Sequence, residues 1–184
     1  MAKKILLLAS GAGSLAQALF DSPLPDRADF VGLISDKDSL ALERARLADV
    51  PAFHLPMLED RSEWDKQLFS LALTLAPDIV VSVGFMRILS PDFVNHFKVI
   101  NTHPALLPAF PGAHAVRDAL KAGVTETGTT VHWVDEGIDT GPIISQRIVL
   151  VEPFDTEDSL HERIKIAERN LIVETLLTWI DGAL

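Results

Sequence analysis

The chain predicts an α/β fold with a mostly parallel central sheet flanked by helices. Three observations carry that reading. The runs Lys3 to Ala9 (KKILLLA), Ala28 to Ser35 and Asp78 to Gly84 (DIVVSVG) are almost continuously apolar. Strands covered on both faces read this way, whereas a half-solvated strand alternates. Segments with apolar residues at helical spacing separate these runs, which is the βαβ rhythm of a parallel sheet. The first run ends in SGAGS, a glycine turn that passes directly into a helical pattern.

Composition sets the remaining bounds. The chain has 184 residues, 48% of them apolar and 23% charged, which suits one globular domain with a sizeable core. Its 16 Lys and Arg against 26 Asp and Glu give a formal net charge of -10. The basic residues are scattered, so nucleic acid and anionic membrane are not expected as partners, and an anionic substrate must be held by local groups. There is no Cys, which excludes disulfides, thiolate metal sites and a Cys nucleophile and fits a reducing cytoplasm. The apolar start, Ile5 to Ala9, is too short to span a bilayer and is broken by Ser10 and Gly11 where a signal peptide would continue. The expectation is a soluble, untargeted, cytoplasmic protein.

Taken in order, Gly11 and Gly13 allow a tight turn, and the helix that follows (Leu15, Ala16, Ala18, Leu19, Phe20) offers free N–H groups beside Ser14 to a phosphate. GAGSLA also satisfies the G-x-G-x-x-A dinucleotide pattern, with Asp36 where a ribose-binding acid would sit, so a dinucleotide-binding module is an alternative reading. A purely structural glycine turn is a third. Ala28 to Ser35 forms the second strand, Ser39 to Ala48 a helix, and Pro51 to Leu55 a short third strand. Ser62 or Asp60 caps a helix carrying Trp64, Leu68, Leu71 and Leu75, which Pro77 stops. Arg61, at that loop-to-helix boundary, is either solvated or placed at the ligand-binding edge of the sheet. His54 and His96 read as ordinary satisfied polar groups.

Asp78 to Gly84, β-branched throughout its middle, is the expected central strand. Phe85, Met86, Ile88 and Leu89 follow at its carboxyl end, either as core or as an apolar slot for a flat ring. Ser90 and Pro91 open a short helical turn, and Phe97 to Ile100 forms the next strand. That strand delivers NTHPALLPAFPG (Asn101 to Gly112). Asn101 and His103, two apart in extended chain, leave the same face while Thr102 leaves the other. Pro104 keeps His103 extended, and Pro108 and Pro111 stiffen the loop. An amide and an imidazole aimed together suit a reaction that develops negative charge on oxygen; the plainer reading is a hydrogen-bonded loop pair.

Ala113 to Ala122 is a short helix with His114 near its start. In GTTVHWV (Gly128 to Val134), Thr130, His132 and Val134 share one face, so His132 is a satisfied strand histidine or a partner of the site. The loop DEGIDTGP carries Asp135, Glu136 and Asp139 back over the sheet edge, as ligand-facing or as solvated turn residues. Ile143 to Val151 is the last strand, and Asp155 or Thr156 caps a helix reaching Ile180. On it Lys165 and Glu168 stand three apart on one face, as a surface ion pair would, with His161 nearby.

FMRILSP, NTHPALLPAFPG and GTTVHWVDEGIDTGPII, in this order and spacing, resemble the formyltetrahydrofolate-dependent formyltransferases. SGAGS, the chain length and the Glu168 helix narrow the resemblance to the phosphoribosylglycinamide formyltransferases of purine synthesis. It implies a single-domain Rossmann-like formyltransferase fold over 1–184, with 1–100 as the phosphate-binding βαβ half and 101–184 as the catalytic and folate-binding half. It makes Asn101, His103 and Asp139 the catalytic residues, with His132, His114 and Thr130 behind them. Ribonucleotide binding falls to Gly13, Ser14, Leu15, Lys165 and Glu168. Folate binding falls to Arg61, Met86, Arg87, Ile88, Leu89, Asn101 and Asp135, Glu136, Gly137, Ile138 and Asp139.

The resemblance further implies 10-formyltetrahydrofolate as donor cosubstrate, no metal, small-molecule substrates only, and a monomer or homodimer. Leu15 departs from the pattern, since many members have Asn there, and some members continue past the last helix. Water in place of the amine would make a formyltetrahydrofolate hydrolase, for which an amino-terminal regulatory domain would be expected ahead of Lys3.

Overall fold

The computed structural model describes residues 2–183. Seven strands follow the hydrogen-bonded order β3-β2-β1-β4-β5-β6-β7, and helices flank the mostly parallel sheet, which is the fold class the sequence predicts. The chain divides into two compact units, Met1–Ile100 and Asn101–Leu184.

The first unit contains β1 (Lys3–Ala9), α1 (Ser14–Phe20), β2 (Ala28–Ser35), α2 (Leu40–Leu47), β3 (Ala52–His54), α3 (Arg61–Leu75), β4 (Ile79–Ser82) and α4 (Pro91–His96). β1 pairs in parallel with both β2 and β4, and β2 with β3. This central position accounts for the unbroken apolar run of β1, in which Ile5 to Ala9 are all 0% exposed. Asp60 is the residue that caps α3, accepting from the N–H groups of Ser62 and Glu63, a contribution of about 1 kcal/mol. That helix ends at Ala76 in the left-handed region, ahead of Pro77. A 3-10 turn at Leu24–Asp26, set by the PLP sequence, was not expected.

The second unit is built on β5 (Val99–His103), which begins at the boundary, with α5 (Ala115–Ala122), β6 (Glu126–Trp133), β7 (Ile143–Leu150) and α6 (Glu157–Ile180). β5 extends to His103, so Asn101 and His103 sit within a strand rather than just beyond one. α5 starts two residues later than the sequence suggests, because Gly112 has φ +87° and His114 is a non-helical cap. β7 runs antiparallel to β6, with a register shift between Val131 and His132. Leu160 and Ile164 of α6 pack on Val116, with Leu120, Val149 and Val151 around them. Thr156 caps α6 through Ser159 in a reciprocal capping box.

Candidate active site

β5, β6 and the loop after β6 bring four polar side chains of the second unit together. Strand alternation sends Thr102 away from Asn101 and His103, and Pro104 fixes the latter's backbone. The His103 side chain is 5% exposed, with Nδ1 3.3 Å from Oδ2 of Asp139. Its Nε2 lies 2.7 Å from the Phe110 carbonyl. Both ring nitrogens therefore face oxygen acceptors.

Asp139 has φ +55°, and its Oδ2 accepts from the Gly112 N–H at 2.8 Å. This contact ties the proline loop to the loop after β6. Oδ1 of Asp139 faces Nε2 of His132 at 3.5 Å. The Asp139 carboxyl is held below its ordinary pKa, chiefly by hydrogen bonding to His132; burial opposes this, while the Gly112 N–H and the charge of His103 reinforce it. His132 donates from Nδ1 to the Trp133 carbonyl at 2.9 Å, and Asn101 Nδ2 lies 3.4 Å from its Nε2. The register shift at His132 is a bulge, a device that re-aims a strand side chain.

The other residues singled out in this unit are distributed around that cluster. Thr130 is buried and bridges the Ala105 carbonyl and the Leu107 N–H, anchoring the proline loop to β6. His114 is exposed at the start of α5. Asp135 accepts from the Gly137 N–H and the Thr140 hydroxyl, closing the 135–140 turn on itself. Glu136 and Gly137 are exposed, and Ile138 is 57% exposed. Gly141 is fixed by space: a Cβ there would stand 1.8 Å from the Trp133 carbonyl oxygen. On α6, Lys165 pairs with Glu162 at 2.7 Å rather than with Glu168. Glu168 instead accepts from the Thr102 hydroxyl, and its carboxyl is pushed above its ordinary value, chiefly by burial. The i, i+3 surface pair suggested by spacing gives way to a contact with the back of β5.

In the first unit, Gly13 precedes α1 with φ +71°, and a Cβ there would stand 2.6 Å from the Ala41 Cα. Only glycine therefore lets the turn lie against α2. Ser14 is exposed, whereas Leu15 is 8% exposed and packs in the core, so its side chain is not available to a ligand. Met86 and Ile88 are 71% and 63% exposed and not core, while Leu89 is buried. Arg61 reaches the Ile88 carbonyl and Asp65, with its guanidinium 5.0 Å from the Trp64 ring centroid.

Sequence reasoning missed three supports here. Ser10 Oγ accepts from the Met86 N–H at 2.9 Å, and Arg44 Nε donates to the Ala12 carbonyl at 2.9 Å. Arg87 Nε donates to Oδ2 of Asp36 at 2.6 Å, and the Asp36 side chain is 0% exposed. Asp36 is thus engaged inside the protein rather than presented to a ribose. No sequence signal marks these pairs, whose members lie far apart in the chain. Among the described residues, no group of three or more His, Asp or Glu is arranged to hold a metal ion. His96 packs against Phe69 and Phe97.

Comparison with known proteins follows the same lines. The profile of a family described as formyl transferase matches residues 3–176. The chain is 48% identical over 175 residues to a phosphoribosylglycinamide formyltransferase of Mycobacterium tuberculosis, covering 92% of this chain and 81% of that one. It is 40% identical over 189 residues to the trifunctional purine biosynthetic protein adenosine-3 of Drosophila melanogaster, covering 98% of this chain and 14% of that one. The crystal structure of glycinamide ribonucleotide transformylase 1 from Symbiobacterium toebii aligns with a TM-score of 0.94 at 36% identity, over 98% of this chain and 89% of that one. The clustered amide, imidazoles and carboxylate thus stand in a chain that belongs to the formyl transferase family.

Proposed function

We propose that the protein transfers the formyl group of 10-formyltetrahydrofolate to the amine of phosphoribosylglycinamide, a step of purine synthesis. The observation that carries this reading is the Asn101, His103 and Asp139 cluster in a formyl transferase family member. The substrate amine attacks the formyl carbon, so the protein supplies no nucleophile. Asn101 and the imidazolium of His103 donate to the oxyanion that forms, and one such donor is typically worth about 10²- to 10³-fold in rate. Asp139 holds the imidazolium and takes part in removing the amine proton. Collapse of the intermediate breaks the bond to the folate nitrogen, which leaves protonated. For His103 to reach the formyl oxygen, one of its two contacts must be exchanged. The neutral Phe110 carbonyl is a weaker acceptor than the Asp139 carboxylate, so that contact is the one given up.

The remaining assignments belong to the same reading. The half 1–100 carries the ribonucleotide phosphate at the backbone of Gly13, Ser14 and Leu15, and the half 101–184 carries the chemistry. Lys165 and Glu168 take the glycinamide end. Met86, Arg87, Ile88 and Leu89 hold the pterin together with Asn101 and the 135–139 loop, and Arg61 lies toward the glutamate tail. His132 supports Asp139 and Asn101, Thr130 supports the loop, and His114 stands behind them. No metal takes part, the partners are small molecules, the setting is cytoplasmic, and the protein acts as a monomer or homodimer. No helix among the described residues is long and apolar enough to cross a membrane.

The test is direct. Purified protein, the ribonucleotide and 10-formyltetrahydrofolate are combined and deformylated folate is followed; its appearance only when the ribonucleotide is present supports the reading. Deformylation without the ribonucleotide would point to a hydrolase, and no product at all would remove the assignment.

A further inference from the structure

Residues 84–89 follow β4 as an irregular strip in which each backbone turn is tied down. The Gly84 carbonyl accepts from the Ser10 N–H at 3.1 Å, and the Met86 N–H donates to Ser10 Oγ at 2.9 Å. Phe85 stacks on Trp64 with ring centroids 6.3 Å apart, and Arg61 donates to the Ile88 carbonyl. Between these ties the side chains of Met86 and Ile88 stand in solvent, 71% and 63% exposed.

Arg87, midway between the two exposed apolar side chains, is held differently. Its Nε donates at 2.6 Å to Asp36, which lies just beyond the end of β2. The Arg87 side chain is 33% exposed and that of Asp36 0% exposed. Oδ1 of Asp36 has no hydrogen-bond partner. A buried carboxylate with one unsatisfied oxygen is costly to keep, and an ion pair of this kind is weak evidence for a gain in stability. Its position supplies a different use. The pair locks the residue between Met86 and Ile88, and so sets how those two side chains and their peptide groups face outward.

We infer that Asp36 is a positioning residue for the formyl donor, acting through Arg87 to hold the 86–88 strip in the conformation that receives the donor's ring system. The inference rests on the formyltransfer reading above and extends it to a buried residue that cannot itself touch the donor. Removing the Asp36 charge frees the Arg87 guanidinium to turn into water, and the strip must then be ordered at the moment of binding. That cost appears in donor affinity, leaving the chemical step and the ribonucleotide alone.

The test measures steady-state constants for Asp36→Asn and for Asp36→Ser, a smaller uncharged replacement that keeps the inference testable if the Asn variant does not fold. The expected result is a rise of about tenfold in KM for 10-formyltetrahydrofolate in both, with kcat and the ribonucleotide KM within about twofold of the parent. A donor KM within twofold of the parent in a folded variant overturns the inference, as does an equal rise in both KM values. Parent protein that fails to turn over would instead sink the formyltransfer reading, so the two failures are distinguishable.

Discussion

Replacement of Asp139 by Asn is the sharpest probe of the cluster, because it removes a charge and little else. The carboxylate stands 3.3 Å from His103 Nδ1 and 3.5 Å from His132 Nε2, and it accepts from the Gly112 N–H at 2.8 Å. At an effective dielectric of about 20, a unit charge pair at the first distance interacts by about 5 kcal/mol. An Asn oxygen can keep the Gly112 bond, and a hydrogen bond to a charged group is worth about 1.5 to 3 kcal/mol net. If His103 acts as the proposed cationic donor to the oxyanion, the expected loss of support is near 3 kcal/mol, which corresponds to roughly 10²- to 10³-fold in turnover. The assay is kcat at saturating concentrations of both substrates, with circular dichroism and thermal unfolding as controls. A folded Asp139→Asn variant within tenfold of the parent would refute the argument.

The same residue carries a pH signature. Its folded-state pKa is lowered, chiefly by hydrogen bonding to His132, so its contribution to stability is present above the ordinary carboxylate value of about 4 and fades as pH falls through the depressed one. The parent's lead over Asp139→Asn in urea midpoint should thus be level from pH 6 to 8 and narrower at pH 3. A lead that does not change in acid would mean that the carboxylate's charge is not what the fold uses.

Glu168 has the opposite sign. Burial raises its carboxyl above the ordinary value, so its stabilising contribution is present below that value and lost as pH rises through the raised one. Glu168→Gln, which keeps an acceptor for Thr102, should gain on the parent in melting temperature between pH 5 and 8 while raising the ribonucleotide KM about tenfold; a variant several degrees less stable than the parent at pH 8 would contradict this. Gly13→Ala forces a Cβ to within 2.6 Å of the Ala41 Cα at φ +71°, so the turn must move. Its ribonucleotide KM should rise about tenfold or more with the donor KM unchanged, and unaltered constants would detach this turn from the substrate. Asp155 is held well below the ordinary carboxylate range, first by Arg163 and then by Ser159, at the start of α6. Asp155→Asn should therefore lower the urea midpoint at pH 7, with the gap narrowing as pH falls below about 4; a gap of unchanged size between pH 6 and pH 2 would assign the effect to packing.

Which parts of this arrangement could be read from the chain depends on whether the partner is local. β1 was legible because a strand paired on both sides needs apolar residues at every position, and Ile5 to Ala9 supply them. Asn101 and His103 were legible as a pair because strand alternation and Pro104 act within three residues. Asp139 was different: nothing in DEGIDTGP separates it from Asp135, and only family resemblance singled it out. In the folded chain Asp135 turns inward on its own loop through Gly137 and Thr140, while Asp139, in a left-handed conformation, reaches Gly112 and His103.

Lys165 and Glu168 show how a local rule fails. Helical spacing offers Lys165 two acidic neighbours three residues away, and it takes exposed Glu162. Pairing with Glu168 would leave the Thr102 hydroxyl, on the other face of β5 from Asn101 and His103, without its acceptor. A buried hydroxyl without an acceptor costs more than one exposed ion pair contributes, so the tertiary contact prevails. That choice also joins the α6 carboxylate to the strand that carries Asn101 and His103, on the opposite face from both.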